Sequence, residues 1–122
     1  MLSLAFTLVL IAASLGALLV WMNLAPGRVP PRWPFGALHA LLGVAGLGAL
    51  LLALRGPPRG EAMGVGAFGG IAAWLLAFAL LMGLVLLSKR LRHRRPTSGP
   101  IGLHAMLAIS GVVMLAAYTL VG

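Results

Sequence analysis

Four apolar runs of about twenty residues each, separated by three short breaks that hold nearly all the charge, leave this chain few ways to fold. At about 1.5 Å of rise per residue, such a run crosses a hydrocarbon layer of roughly 30 Å as an α-helix. In lipid the backbone must satisfy its own polar groups, so helices are the expected state of all four. The sequence therefore predicts one all-α domain over residues 1–122, a four-helix transmembrane bundle with helices at about 2–22, 35–54, 63–88 and 100–120. Pro34 and Pro100 mark the starts of the second and fourth, and Gly56-Pro57-Pro58 the turn after the second. The first run has no basic flank and is too long for a cleaved leader, which predicts a retained helix.

Hydrophobic residues make up 61% of the chain and charged residues 8%, a ratio foreign to a soluble domain. Nine Lys and Arg against one acid, Glu61, give a net charge of +8. A nucleic-acid binder spreads such charge over a folded polar surface; here it is confined to the breaks, and nucleic acid is excluded as a partner. The absence of cysteine rules out disulfides, CxxC redox motifs and thiolate metal sites. Arg28, Arg32, Lys89, Arg90, Arg92, Arg94 and Arg95 fall in the first and third breaks, and Arg55 and Arg59 in the second. The positive-inside bias then puts loops 23–34 and 89–99 in the cytoplasm and both termini outside a bacterial-type inner membrane. Trp21 and Trp33 are expected in the cytoplasmic aromatic belt, and Tyr118 near the outer one. His93 lies in the third break and reads as solvated.

An internal repeat adds a second constraint. Leu38-His39-Ala40-Leu41-Leu42-Gly43-Val44-Ala45-Gly46 aligns without gaps on Leu103-His104-Ala105-Met106-Leu107-Ala108-Ile109-Ser110-Gly111, with five of nine positions identical. The offset of 65 residues is near half the chain, as two tandem helical hairpins require. Helices one and three match poorly at that offset. Helices two and four run in the same direction, so the repeat is parallel and predicts His39 and His104 at one depth.

On a helix, positions i, i+4 and i+7 share a face. They are His39, Gly43 and Gly46 in one repeat, and His104, Ala108 and Gly111 in the other. Each histidine stands over a strip almost free of side chain, which suits close helix packing or leaves room for a flat, bulky ligand. A porphyrin meets the second description, with one imidazole nitrogen from each helix bound axially to iron and the other donating to a carbonyl. On this reading His39 and His104 are the metal ligands. Gly43, Gly46, Ala108 and Gly111 line the cofactor, Leu42, Leu107 and Phe35 wall it, and Arg28 and Arg32, then Arg92 to Arg95, neutralise the propionates. Other planar pigments fit the same strips. Zinc is disfavoured because only two ligands converge. Gly66 and Gly70 form a GxxxG element of packing type, without the Lys-Ser/Thr of a phosphate loop. The scattered Ser and Thr residues have no accompanying base, and no membrane-embedded acid is present for proton-coupled transport.

At Leu38-His39-Ala40 with Gly43 and Gly46, and Leu103-His104-Ala105 with Gly111, the chain resembles the small b-type cytochromes of membranes, in which paired histidines on neighbouring helices hold haem. The resemblance covers about 40 residues in two helices. It implies one haem b on His39 and His104, and an electron-transfer protein or subunit exchanging electrons with a quinone or a partner protein. It departs from the members with two haems and four histidines, since only one site can be built here. The implied surroundings are lipid with other membrane subunits or further copies of the chain. The reading from another class is a cofactor-free structural or anchoring subunit whose histidines hydrogen-bond across helices.

Overall fold

The computed structural model describes every residue except Arg28 and Pro30. Four helices account for most of the chain: α1 (Leu2–Leu24), α2 (Trp33–Ala53), α3 (Phe68–Leu91) and α4 (Ser98–Leu120). All four are long and apolar enough to cross a membrane, as the apolar runs require. They form an all-α four-helix bundle in which each helix packs on its neighbours in sequence and α4 closes on α1. Consequently α2 and α4 lie across one diagonal, and α1 and α3 across the other.

The boundaries differ where backbone conformation overrides hydropathy. The helix expected from Met63 begins instead at Phe68, because Gly60 and Gly64 take φ of +76° and +73° and wind residues 61–67 into turns. Gly66 therefore precedes the helix, and the Gly66/Gly70 pair is not a helical packing motif. At its other end α3 runs on through Lys89 and Arg90, whose charges suit a helix C-terminus. The starts of α2 and α4 move forward to Trp33 and Ser98, leaving Pro34 and Pro100 within first turns, where a missing N–H costs nothing.

The two ends of the bundle are built differently. At the end holding both termini, Ala5, Val9, Ala49, Leu50, Ala72, Ala73 and Leu115 form a closed core, with Leu50 and Leu115 the largest side chains fully buried. Leu50 and Leu115 are 65 residues apart, so the histidine repeat continues to the far end of α2 and α4. Tyr118 is buried at this end, with the Arg59 guanidinium 5.7 Å over its ring. Because lipid replaces water around the bundle, lost packing rather than apolar transfer sets the cost of truncation. Leu115→Ala is expected to destabilise by about 2 kcal/mol and Leu120→Ala, 74% exposed, by much less. Thermal unfolding in detergent checks the difference.

Four of the hydroxyls on the helices bond locally. Thr7 donates to Ser3 O, Ser14 to Leu10 O, Ser88 to Val85 O and Thr119 to Leu115 O. These groups are satisfied within their own helices, the usual solution in an apolar medium.

Candidate functional site

Opposite the closed core, toward the first and third loops, the four helices leave a cavity of about 160 Å³. Its lining is apolar except for His39, His104, Asn23 and Arg90. Each histidine lies six residues past the first residue of its helix, roughly 9 Å in from that end. The equal depth expected from the repeat is observed, and the rings meet across the diagonal with centroids 5.8 Å apart and planes at 81°.

Each ring is held by the helix that precedes it in sequence. His39 Nδ1–H donates to the Ala12 carbonyl of α1 at 2.8 Å, and His104 Nδ1–H donates to the Ala79 carbonyl of α3 at 2.8 Å. A carbonyl only accepts, so the hydrogen of a neutral imidazole is on Nδ1 and its lone pair on Nε2. Among the described residues neither Nε2 has a hydrogen-bond partner, and neither is walled in by protein atoms.

Glycine opens both carbonyls. A helical carbonyl at position i is flanked by residue i+4, which is Gly16 for Ala12 and Gly83 for Ala79. A Cβ at Gly16 would lie 2.8 Å from His39 Cε1, and one at Gly83 would lie 3.0 Å from His104 Cε1. These seats, Ala12 with Gly16 and Ala79 with Gly83, were missed in the sequence. Their signal is an Ala-x-x-x-Gly pair in each of α1 and α3 at an offset of 67 residues. The same offset relates Ala5 to Ala72 and Val9 to Leu76. The first interhelix connection is two residues longer than the third, 25–32 against 92–97, which displaces the first-helix repeat from 65 to 67.

The expected site residues divide. Gly43 and Ala108 line the cavity with the histidines. Gly46 and Gly111 do not: a Cβ on Gly46 would meet Val9 Cγ2 at 2.7 Å, and one on Gly111 would meet Leu76 Cδ2 at 2.8 Å. Their lack of a side chain serves the packing of α2 on α1 and of α4 on α3, rather than making room for a ligand. Leu42, Leu107 and Phe35 are absent from the lining, because the walls come largely from Leu19 and Val20 of α1 and Leu76, Leu80, Leu86 and Leu87 of α3. Arg32 is the exposed N-cap of α2, while Arg28 lies outside the described residues. Arg92, Arg94, Arg95 and His93 are exposed.

Among the described residues, the cation that reaches the cavity is Arg90. It donates through Nη1 to Pro31 O at 2.6 Å and through Nη2 to Asn23 Oδ1 at 2.9 Å, tying the end of α3 to the end of α1 and the approach to α2. Among the described residues no three His, Cys, Asp or Glu side chains come together, so a metal ion bound by protein ligands alone lacks a complete set. No family model, curated protein or solved structure matches the chain. What the site can do rests on its geometry.

Two imidazoles on one metal atom, with bonds of about 2 Å and a further ~1 Å from nitrogen to ring centre, have centroids roughly 6 Å apart. The observed 5.8 Å is close to that spacing. Each ring carries the carbonyl hydrogen bond that fixes the tautomer and raises the basicity of a ligating histidine.

Proposed function

We propose that the chain binds one haem b through His39 and His104 and serves as a membrane electron-transfer protein or subunit. The observation that carries this reading is the pair of imidazoles with ring centroids 5.8 Å apart, each bonded through Nδ1 and leaving Nε2 without a protein partner among the described residues. Both Nε2 lone pairs are accessible rather than enclosed, and an iron atom would take both at once. His39 and His104 would hold the group, which would bring the further ligands that the protein does not provide and would supply one-electron chemistry. The cavity is near the size that admits a single aromatic ring, so a whole porphyrin requires the leucines around the histidines to turn aside.

Position in the membrane bears on the role. From His39 to the far end of α2 is roughly 21 Å, closed by the Leu50 and Leu115 core. Electrons would enter and leave on the side of the first and third loops, with a quinone or a protein partner there. We infer from the arginine distribution that this side is cytoplasmic and both termini are outside, as in a bacterial-type inner membrane. Single cysteines at Ser3 and Ser98 are then expected to react with membrane-impermeant maleimide from opposite sides. Labelling of both from one side would refute the orientation.

The rival is a cofactor-free anchoring subunit, favoured by the same Nδ1 bonds, which by themselves stitch α1 to α2 and α3 to α4. Supplying haem during expression and purifying in mild detergent separates the two. The haem reading predicts one pigment per chain with a six-coordinate low-spin absorption spectrum. A folded but colourless protein, unresponsive to added haem, supports the rival.

A further inference from the structure

In the bundle as it stands, the cavity between the helices holds about 160 Å³, bounded by the two histidines and by apolar side chains that include Val9, Leu76, Leu80 and Val112. An apolar cavity of about 150 Å³ stays dry and admits one benzene ring. The volume here therefore suits a single six-membered aromatic ring, and such a ring enters with no leucine turned aside.

The hydrogen bonds of the histidines say what that ring must carry. Each imidazole spends its Nδ1–H on a backbone carbonyl, Ala12 O for His39 and Ala79 O for His104. Each Nε2 is then an acceptor and not a donor, and among the described residues both are accessible and without a hydrogen-bond partner. The other polar side chains of the lining, Asn23 and Arg90, are bonded to each other. An occupant that bonds to the histidines must bring its own N–H or O–H, and the carbonyl oxygen of a quinone finds no donor on either ring. A phenolic O–H is more acidic than that of an alkanol and is the stronger donor to an imidazole lone pair.

We propose that the cavity binds a simple phenol, one aromatic ring with a free hydroxyl, with the ring against the apolar walls and the O–H donated to Nε2 of His39 or His104. This goes beyond the haem reading and does not rest on it. Phenol and haem exclude each other, because both use the same two nitrogens.

The full-length protein, without haem and in nanodiscs, is titrated with 4-fluorophenol and with 4-fluorotoluene, in which a methyl group of similar size replaces the hydroxyl. Fluorine NMR reads the binding, and uptake by protein-free nanodiscs is subtracted. Wild type is expected to bind one phenol per chain and to prefer it to the toluene by roughly tenfold, the worth of one hydrogen bond. In His39→Phe or His104→Phe one acceptor remains, so the preference should fall by about half, and in the double variant it should vanish. Gly43 lines the cavity, and a Cβ there meets only Leu80 Cδ1, at 3.9 Å, so the side chain of Gly43→Leu extends into the space the ring would take. Both compounds should then bind at least about tenfold more weakly.

Equal binding of phenol and toluene by wild type would overturn the proposal, as would a preference that survives in the double histidine variant. Undiminished binding by folded Gly43→Leu would put the ring outside the cavity and overturn it too. Folded wild type that takes up no phenol beyond the lipid background overturns it outright. Should the double histidine variant fail to fold, the wild-type ratio and Gly43→Leu still decide.

Discussion

Replacing either His39 or His104 with alanine is expected to abolish the low-spin spectrum of the haem-loaded protein while leaving the four helices folded. The two rings occupy equivalent places, each near 9 Å from the loop-side end and each bonded to the helix before it. Removing one leaves iron with a single axial nitrogen, which gives a five-coordinate, high-spin centre, and removing both leaves no ligand. Affinity should fall at least about a hundredfold for each single variant, as the loss of a metal ligand exceeds the 10–100-fold typical of an outer-shell partner. Absorption spectra and haem titration read the result, with circular dichroism reporting the helices. A variant that keeps the six-coordinate spectrum would exclude that histidine as a ligand.

Enlarging the glycine seats should be nearly as damaging, although neither glycine touches the iron. A side chain at Gly16 starts 2.8 Å from His39 Cε1, and one at Gly83 starts 3.0 Å from His104 Cε1. In Gly16→Leu or Gly83→Leu the imidazole must leave its carbonyl, losing both its orientation and the bond that fixes its tautomer. Haem affinity is expected to drop about 10–100-fold in each variant, with a shift toward high spin. Gly48→Ala and Gly70→Ala are the controls, because a Cβ at either position meets nothing within 4 Å. Equal losses in controls and seat variants would show that glycine matters here for helix packing in general and not for placing the histidines.

How far the sequence reveals this arrangement depends on the interaction involved. The membrane-crossing helices follow from apolar length, which is an additive property of each segment. The facing of His39 and His104 follows from a shared motif and helical geometry. The boundary of α3 does not, since residues 63–67 include apolar Met63, Val65 and Ala67 that hydropathy assigns to the helix, whereas positive φ at Gly60 and Gly64 turns the chain away from it. Gly43, Gly46, Ala108 and Gly111 look alike in sequence because smallness has two uses. Only the helix opposite decides: Val9 and Leu76 press on Gly46 and Gly111, while Gly43 and Ala108 border open space.

The carbonyl seats were hidden for a different reason. Ala12 and Ala79 act through their backbones, so their side chains announce nothing, and a two-residue difference in loop length removes Gly16 and Gly83 from the register that aligns the histidines. Arg90 was hidden among the cations of the third break. It differs from Arg92, Arg94 and Arg95 by lying within α3, where helical phase aims it at Asn23 and the cavity, while the others follow the helix end and remain exposed.

The central claim, that two imidazoles bind one iron, is tested most directly by electron paramagnetic resonance of the ferric protein loaded with one equivalent of haem. Two axial imidazoles give a low-spin signal, and planes near the observed 81° leave two iron d orbitals close in energy and make that signal strongly anisotropic. The account predicts this low-spin spectrum as the main ferric species. A high-spin signal from fully loaded, folded protein would contradict it, since the iron would then lack one of its two histidines.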